Sequence, residues 1–76
     1  MTARTLDERG RACPLPIIAL GRALRTEPPG TLLTLLADDP AVRSDVPAWC
    51  SMVGAALLSM AEADDGGVIT AVVRLP

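Results

Sequence analysis

The sequence predicts an α+β domain in which one mixed four-stranded sheet carries two helices on a single face, in the order strand, helix, strand, helix, strand, strand. Three observations predict it. The chain has 76 residues, the size of one small domain covering residues 1–76. Two amphipathic stretches with apolar residues at three- and four-residue spacing alternate with short apolar runs bounded by Gly, Pro and Asp. Asp64-Asp65-Gly66-Gly67 is a hairpin signal between two runs able to pair as strands. No repeat, linker or low-complexity segment interrupts this order.

Thr5 to Glu8 is short and mixed, and reads as a first strand before a turn at Arg9-Gly10. From Pro14 to about Thr26, Ile17, Leu20 and Leu24 fall on one helical face. Pro14 and Pro16 mark its start, because first-turn N–H groups have no intrahelical partner to lose, and Glu27-Pro28-Pro29-Gly30 ends it. Arg22 and Arg25 suit the negative pole of that helix and could offer a cationic rim to a partner. Thr31 to Ala37 contains Leu32, Leu33, Leu35 and Leu36 and reads as a central strand. A period of two places Leu33 and Leu35 on one face and Leu32 and Leu36 on the other. Helices on one side leave the second pair to be shielded by a partner or a second subunit, which is compatible with a weak homodimer.

Asp39 with Pro40, and Asp45 with Val46-Pro47, each pair a capping side chain with an early proline, so a bent or two-part second helix is expected. Its apolar stripe runs through Val46, Trp49, Cys50, Val53, Leu57 and Met60. The end of that helix is blurred, because Ser59 to Ala63 can also pair as a strand with Val68 to Leu75.

Composition narrows the chemistry. Trp49 is the only aromatic residue, too few for base-stacking platforms. Seven positive charges, all Arg, face nine carboxylates for a net charge of −2, so direct nucleic-acid binding is not expected. Without His or Lys, imidazole base and metal chemistry and Schiff-base chemistry are missing, and no metal site is expected. Cys13 and Cys50 are too few for a disulfide framework and lack zinc-knuckle spacing. The first eleven residues hold no apolar run of signal or membrane type, so a reducing cytoplasm is the expected compartment. Cysteine chemistry is what remains.

The informative segment runs from Asp7 through Glu8, Arg9, Gly10, Arg11 and Ala12 to Cys13-Pro14-Leu15-Pro16. With Cys13 as N-cap, Pro14 at the first and Pro16 at the third helical position, the amides of Leu15 and Ile17 are expected to face the sulfur. Helix-start amides and dipole, with Arg9 and Arg11 nearby, are then expected to lower the thiol pKa below its free value of about 8.5. A thiolate that receives and passes on a sulfur atom needs no histidine base. On the structural reading, Cys13 is a capping or small buried residue, Asp7 and Gly10 end a strand and turn, and Asp38 and Asp39 are a turn and helix cap. Cys50 lies on the apolar stripe with Trp49 and Val53 and reads as packing.

Three blocks resemble the TusA family of sulfur carriers, which includes SirA and YedF-like relatives. Asp7 to Pro16 is similar to that family's D-x-x-G-x-x-C-P-x-P signature. Pro29-Gly30 precedes an apolar strand, and Ala37-Asp38-Asp39-Pro40-Ala41 continues through Asp45-Val46-Pro47-Ala48-Trp49-Cys50. The resemblance implies a two-layer βαβαββ fold and persulfide transfer through Cys13. It implies a pyridoxal-phosphate cysteine desulfurase or a rhodanese as donor and a downstream sulfur-relay protein as acceptor, with the pyridoxal phosphate bound by the donor and no cofactor on this chain. In the best-known relatives the sulfur ends in thiolated tRNA; other branches feed molybdenum-cofactor assembly or sulfur oxidation. Leu15 stands where tRNA-thiolation relatives often carry an acid. A regulatory interaction module of the same fold and a thiol redox sensor at Cys13 are the competing readings.

Overall fold

The computed structural model describes residues 2–64 and 67–76. Six elements follow one another: β1 (Ala3–Asp7), α1 (Leu15–Thr26), β2 (Leu32–Ala37), α2 (Val42–Val53), β3 (Ala56–Glu62) and β4 (Ile69–Arg74). The strands form one sheet in the order β1-β2-β4-β3. β1 is parallel to β2, β2 antiparallel to β4, and β3 antiparallel to β4. This is the mixed four-stranded βαβαββ arrangement expected from the sequence. A parallel pair needs a crossover of a dozen or more residues, and α1 supplies it.

The core lies between the sheet and the helices. Cross-strand partners Leu33 and Val73, Leu35 and Ala71, and Ala37 and Ile69 are all buried. They pack in one cluster with Leu20 and Ala23 of α1 and with Val42, Val46, Trp49 and Cys50 of α2. Leu32 and Leu36, the pair left on the other face, are half-buried rather than bare. Each sits between two neighbouring strands, Leu32 beside Ala3 and Arg74 and Leu36 beside Asp7 and Thr70, so cross-strand side chains flank them within the sheet.

The structure corrects several boundaries. The first strand is Ala3–Asp7 rather than Thr5 to Glu8, because its pairing with β2 begins at Ala3 opposite Leu32. Glu8 lies outside the strand, although its N–H still donates to the Leu36 carbonyl at 2.8 Å. The second helix is a single twelve-residue element with Pro47 inside it, not a two-part helix restarted at Asp45. Asp45 already lies in its first turn, and a proline this early removes one backbone hydrogen bond without ending the helix.

That helix stops at Gly54, which takes a left-handed φ of 79° and donates its N–H to the Cys50 carbonyl at 2.9 Å. Leu57 and Met60 therefore belong to β3, not to the helical stripe. A β-bulge between Leu57 and Ser59 explains the misreading: it puts Leu57 opposite Val73 and Met60 opposite Ala71, a spacing of three on one sheet face. Both side chains pack against the core. Part of the expected hairpin turn, Asp65-Gly66, lies outside the described residues; beside it, the Ala63 N–H donates to the Val68 carbonyl at 2.9 Å. Among the described residues no helix is long and apolar enough to cross a membrane.

Candidate functional site

Parallel pairing of β1 with β2 sets their following loops side by side, and the starts of α1 and α2 with them. Two consecutive aspartates at the end of β2 tie these loops together. Asp38 Oδ2 accepts the Gly10 N–H at 2.8 Å, and Asp39 Oδ2 accepts the Cys13 N–H at 2.9 Å. The other Asp39 oxygen accepts the Ala41 N–H at 2.9 Å, winding the chain into α2. Gly10 has a φ of 81°, a left-handed conformation that brings its amide toward Asp38 without the steric cost a Cβ would add.

Cys13 is half-buried at this junction, packed against the edge of the core, with its sulfur a free thiol. It is not the N-cap. Pro14 holds that position without a side-chain cap, Leu15 begins the helix and Pro16 occupies its second position, buried. The Leu15 amide donates to the Ala12 carbonyl at 3.0 Å, so it closes a turn instead of facing sulfur. Ile17 packs half-buried against the core and, with Pro14, Asp45, Ala48, Trp49 and Met52, lines a shallow groove of ≈ 300 Å³. Leu15 and Ile18 are exposed on the adjacent surface of α1, at 43% and 46%.

The electrostatics also differ from the expectation. Arg9 forms a bidentate pair with Asp7, at 2.8 and 2.7 Å, which holds the Asp7 carboxyl down to about 2. Arg11 is turned toward Glu8 at 3.8 Å. Neither guanidinium is directed at the thiol. Burial above all, and then the negative charges of Asp45 and Asp39, push the Cys13 thiol up to about 11. The expectation of a lowered thiol pKa is thus corrected, because burial is the largest influence on the sulfur, and Asp45 of α2 and Asp39 of the loop before it act in the same direction.

Arg22 lies two turns along α1, roughly 10 Å from its start by helical rise, beside Glu8, Arg11, Leu15 and Ile18 in a second groove of ≈ 180 Å³. Arg25 is in the last turn, farther still from Cys13. Cys50 is buried in the core, and burial raises its pKa too. Among the described residues no group of three or more His, Cys, Asp or Glu side chains could hold a metal ion.

Sequence reasoning missed Asp38, Asp39 and Asp45 as parts of the site. A usable signal was present in the element order: residues just beyond two neighbouring parallel strands meet in space, however far apart in the chain.

Residues 4–75 match the family model described as Sulfurtransferase TusA. The chain is 42% identical over 74 residues to two proteins named "Putative sulfur carrier protein", from Neisseria meningitidis serogroups A and B, covering 97% of this chain and 97% of each of them. It is 40% identical over 58 residues to the sulfur carrier protein TusA of Pseudomonas fluorescens, covering 76% of this chain and 70% of that one. The fold is similar to the crystal structure of the SirA-like protein of Desulfitobacterium hafniense, with a TM-score of 0.80 at 28% identity over 93% of this chain and 95% of that one. Agreement of sequence and fold over nearly the whole length leads to one conclusion, that this chain belongs to the TusA family of sulfur carriers.

Proposed function

We propose that Cys13 is the residue that carries the sulfur, as a persulfide. The supporting observation is the contrast between the two thiols: Cys13 is half-buried at the junction of two hydrogen-bonded loops beside an open groove, whereas Cys50 is only 3% exposed within the core. Loading is a displacement in which Cys13 Sγ attacks the outer sulfur of a donor cysteine persulfide. The donor S–S bond breaks as the Sγ–S bond forms, and the donor sulfur leaves as a thiolate that takes up the proton released by Cys13. Unloading repeats the displacement, with an acceptor thiol attacking the outer sulfur on Cys13. The sulfur moves at constant oxidation level, so the cycle needs no external oxidant.

Suitable donors are a pyridoxal-phosphate cysteine desulfurase or a rhodanese, and the acceptor is a protein thiol in tRNA thiolation, molybdenum-cofactor assembly or sulfur metabolism. A reducing cytoplasm suits two unpaired cysteines. The exposed apolar residues Leu15, Ile18 and Met52 around the site give such proteins a surface to visit.

Incubation with a desulfurase, cysteine and pyridoxal phosphate, followed by intact-mass measurement, tests the assignment. The protein should gain the mass of one sulfur atom, removable by reductant; Cys13→Ser should gain none, and Cys50→Ala should still load. Uptake by Cys13→Ser, or none by the unaltered protein with either donor class, would overturn it.

A further inference from the structure

The sheet order β1-β2-β4-β3 leaves two edges, and they are not alike. β3 is bulged between Leu57 and Ser59, a device that keeps an edge from pairing with another chain. β1 has neither bulge nor proline, and Ala3, Arg4, Thr5 and Asp7 are exposed along it. Its ladder to β2 fixes which backbone groups are free. At the two ends of that ladder the Thr2 carbonyl accepts from the Leu32 N–H and the Glu8 N–H donates to the Leu36 carbonyl. Even-numbered residues therefore turn their backbone toward β2. The period of two then turns the N–H and C=O groups of Ala3, Thr5 and Asp7 outward, where no strand pairs with them among the described residues.

Beside this edge lies a groove of ≈ 460 Å³ between β1 and α1, lined by Leu6 and by the small residues Ala19 and Ala23. Its charges balance, Arg4 and Arg22 against Glu8 and Glu27. Arg4 and Glu8 flank Leu6 on one strand face, two residues before it and two after it. An antiparallel copy of β1, related by a two-fold axis at Leu6, brings Arg4 opposite Glu8 of the second copy, twice over, with the two Leu6 side chains meeting on the axis. Thr5 of each copy then lies opposite Asp7 of the other. Both residues have outward-facing backbone groups, so each such pair exchanges two hydrogen bonds. An axis at Arg4 would set Arg4 against itself, and one at Thr5 would set it against Leu6. α1 covers β1 and β2, so continuing the sheet spaces the two α1 helices by about two strand separations, roughly 10 Å, a distance at which helices pack.

We propose that β1 is a self-association edge, through which two copies of this chain pair as antiparallel strands centred on Leu6 and join their four-stranded sheets into one. The occupant is a second copy because the edge is complementary to itself, one short strand supplying a cation and an acid on either side of one apolar residue. The groove beside Cys13 lies between α1 and α2, on the other flank of α1, so the pairing leaves it open.

The test is sedimentation equilibrium of the full chain at low ionic strength, from about 10 μM to about 1 mM, where a dimer should form with rising concentration. Arg4→Glu and Glu8→Arg, each alone, should weaken self-association about tenfold or more, because each sets like charges opposite one another at two places. An equimolar mixture of the two variants should associate about as tightly as the unaltered chain, since the mixed pair has opposite charges at both places. Thr5→Pro removes an outward N–H without touching the ladder to β2, a position at which edge strands accept proline. It should leave the circular dichroism spectrum unchanged and abolish the dimer; if that variant folds poorly, the mixture decides. A chain that stays monomeric throughout the range, or a mixture that does not recover association, would overturn the proposal. So would a dimer that Arg4→Glu and Glu8→Arg leave unweakened, as expected of pairing through the open sheet face at Leu32 and Leu36.

Discussion

Asp39 commits both carboxylate oxygens to backbone amides, one at Ala41 and one at Cys13, 26 residues away. These two hydrogen bonds are what hold its carboxyl below the ordinary range. Because they stabilise the charged form, the attachment is present above the ordinary carboxylate pKa and is lost as pH falls through the depressed one. In an acid titration followed by NMR, the Cys13 amide signal should move with Asp39 and not at neutral pH. Asp39→Ala should expose that amide, raising its hydrogen-exchange rate by about tenfold or more. Cys13 itself gives the opposite sign. Its pKa rises from an ordinary 9.0 to about 11 on folding, so between those values the unfolded chain binds fewer protons and stability falls as pH rises. Thermal melting across that alkaline window should decline less steeply in Cys13→Ser than in the unaltered protein.

Among the elements, α2 shows how local sequence and tertiary contact divide the work. Val42, Val46, Trp49 and Cys50 form its buried face, and all but Val42 were legible in the sequence as a stripe. Its continuity through Pro47 was not legible, since a proline preceded by Asp45-Val46 looks like a fresh helix start. Burial of residues on both sides of the proline favours one rigid helix over two short ones. The stop at Gly54 depends on backbone freedom, because its φ of 79° carries a steric penalty for any residue with a Cβ. Gly54→Ala should destabilise the fold by about 1–2 kcal/mol in urea denaturation, although a Cβ there would meet no atom within 4 Å. The cost is conformational and not one of packing, so Gly54→Asn, which tolerates left-handed backbone better, should be milder.

At the scale of the whole molecule, a domain of 76 residues has roughly 4–11 kcal/mol of stability to lose. Leu35 is 1% exposed at the centre of β2, between β1 and β4. Leu35→Ala should cost about 2–5 kcal/mol by leaving a cavity against α1 and α2, a large share of that total. Such a variant should show a clearly lowered denaturation midpoint, and its alkylation at Cys13 should speed up at every pH as the loops loosen. The two junction loops have no apolar core of their own; they are held in place by the strands they leave.

The sequence by itself determined the order of the six elements and the sidedness of β2. Those features depend on local spacing: alternating leucines, a helical stripe, and Pro and Gly where the chain must turn. Only the tertiary structure decided the surroundings of Cys13. Arg9 and Arg11 are its neighbours along the chain, yet Asp7 and Glu8 take their charges, while Asp39 and Asp45 arrive from the adjacent loop and helix. Electrostatics act through space, and the parallel pairing of β1 with β2 sets which charges come close to the sulfur.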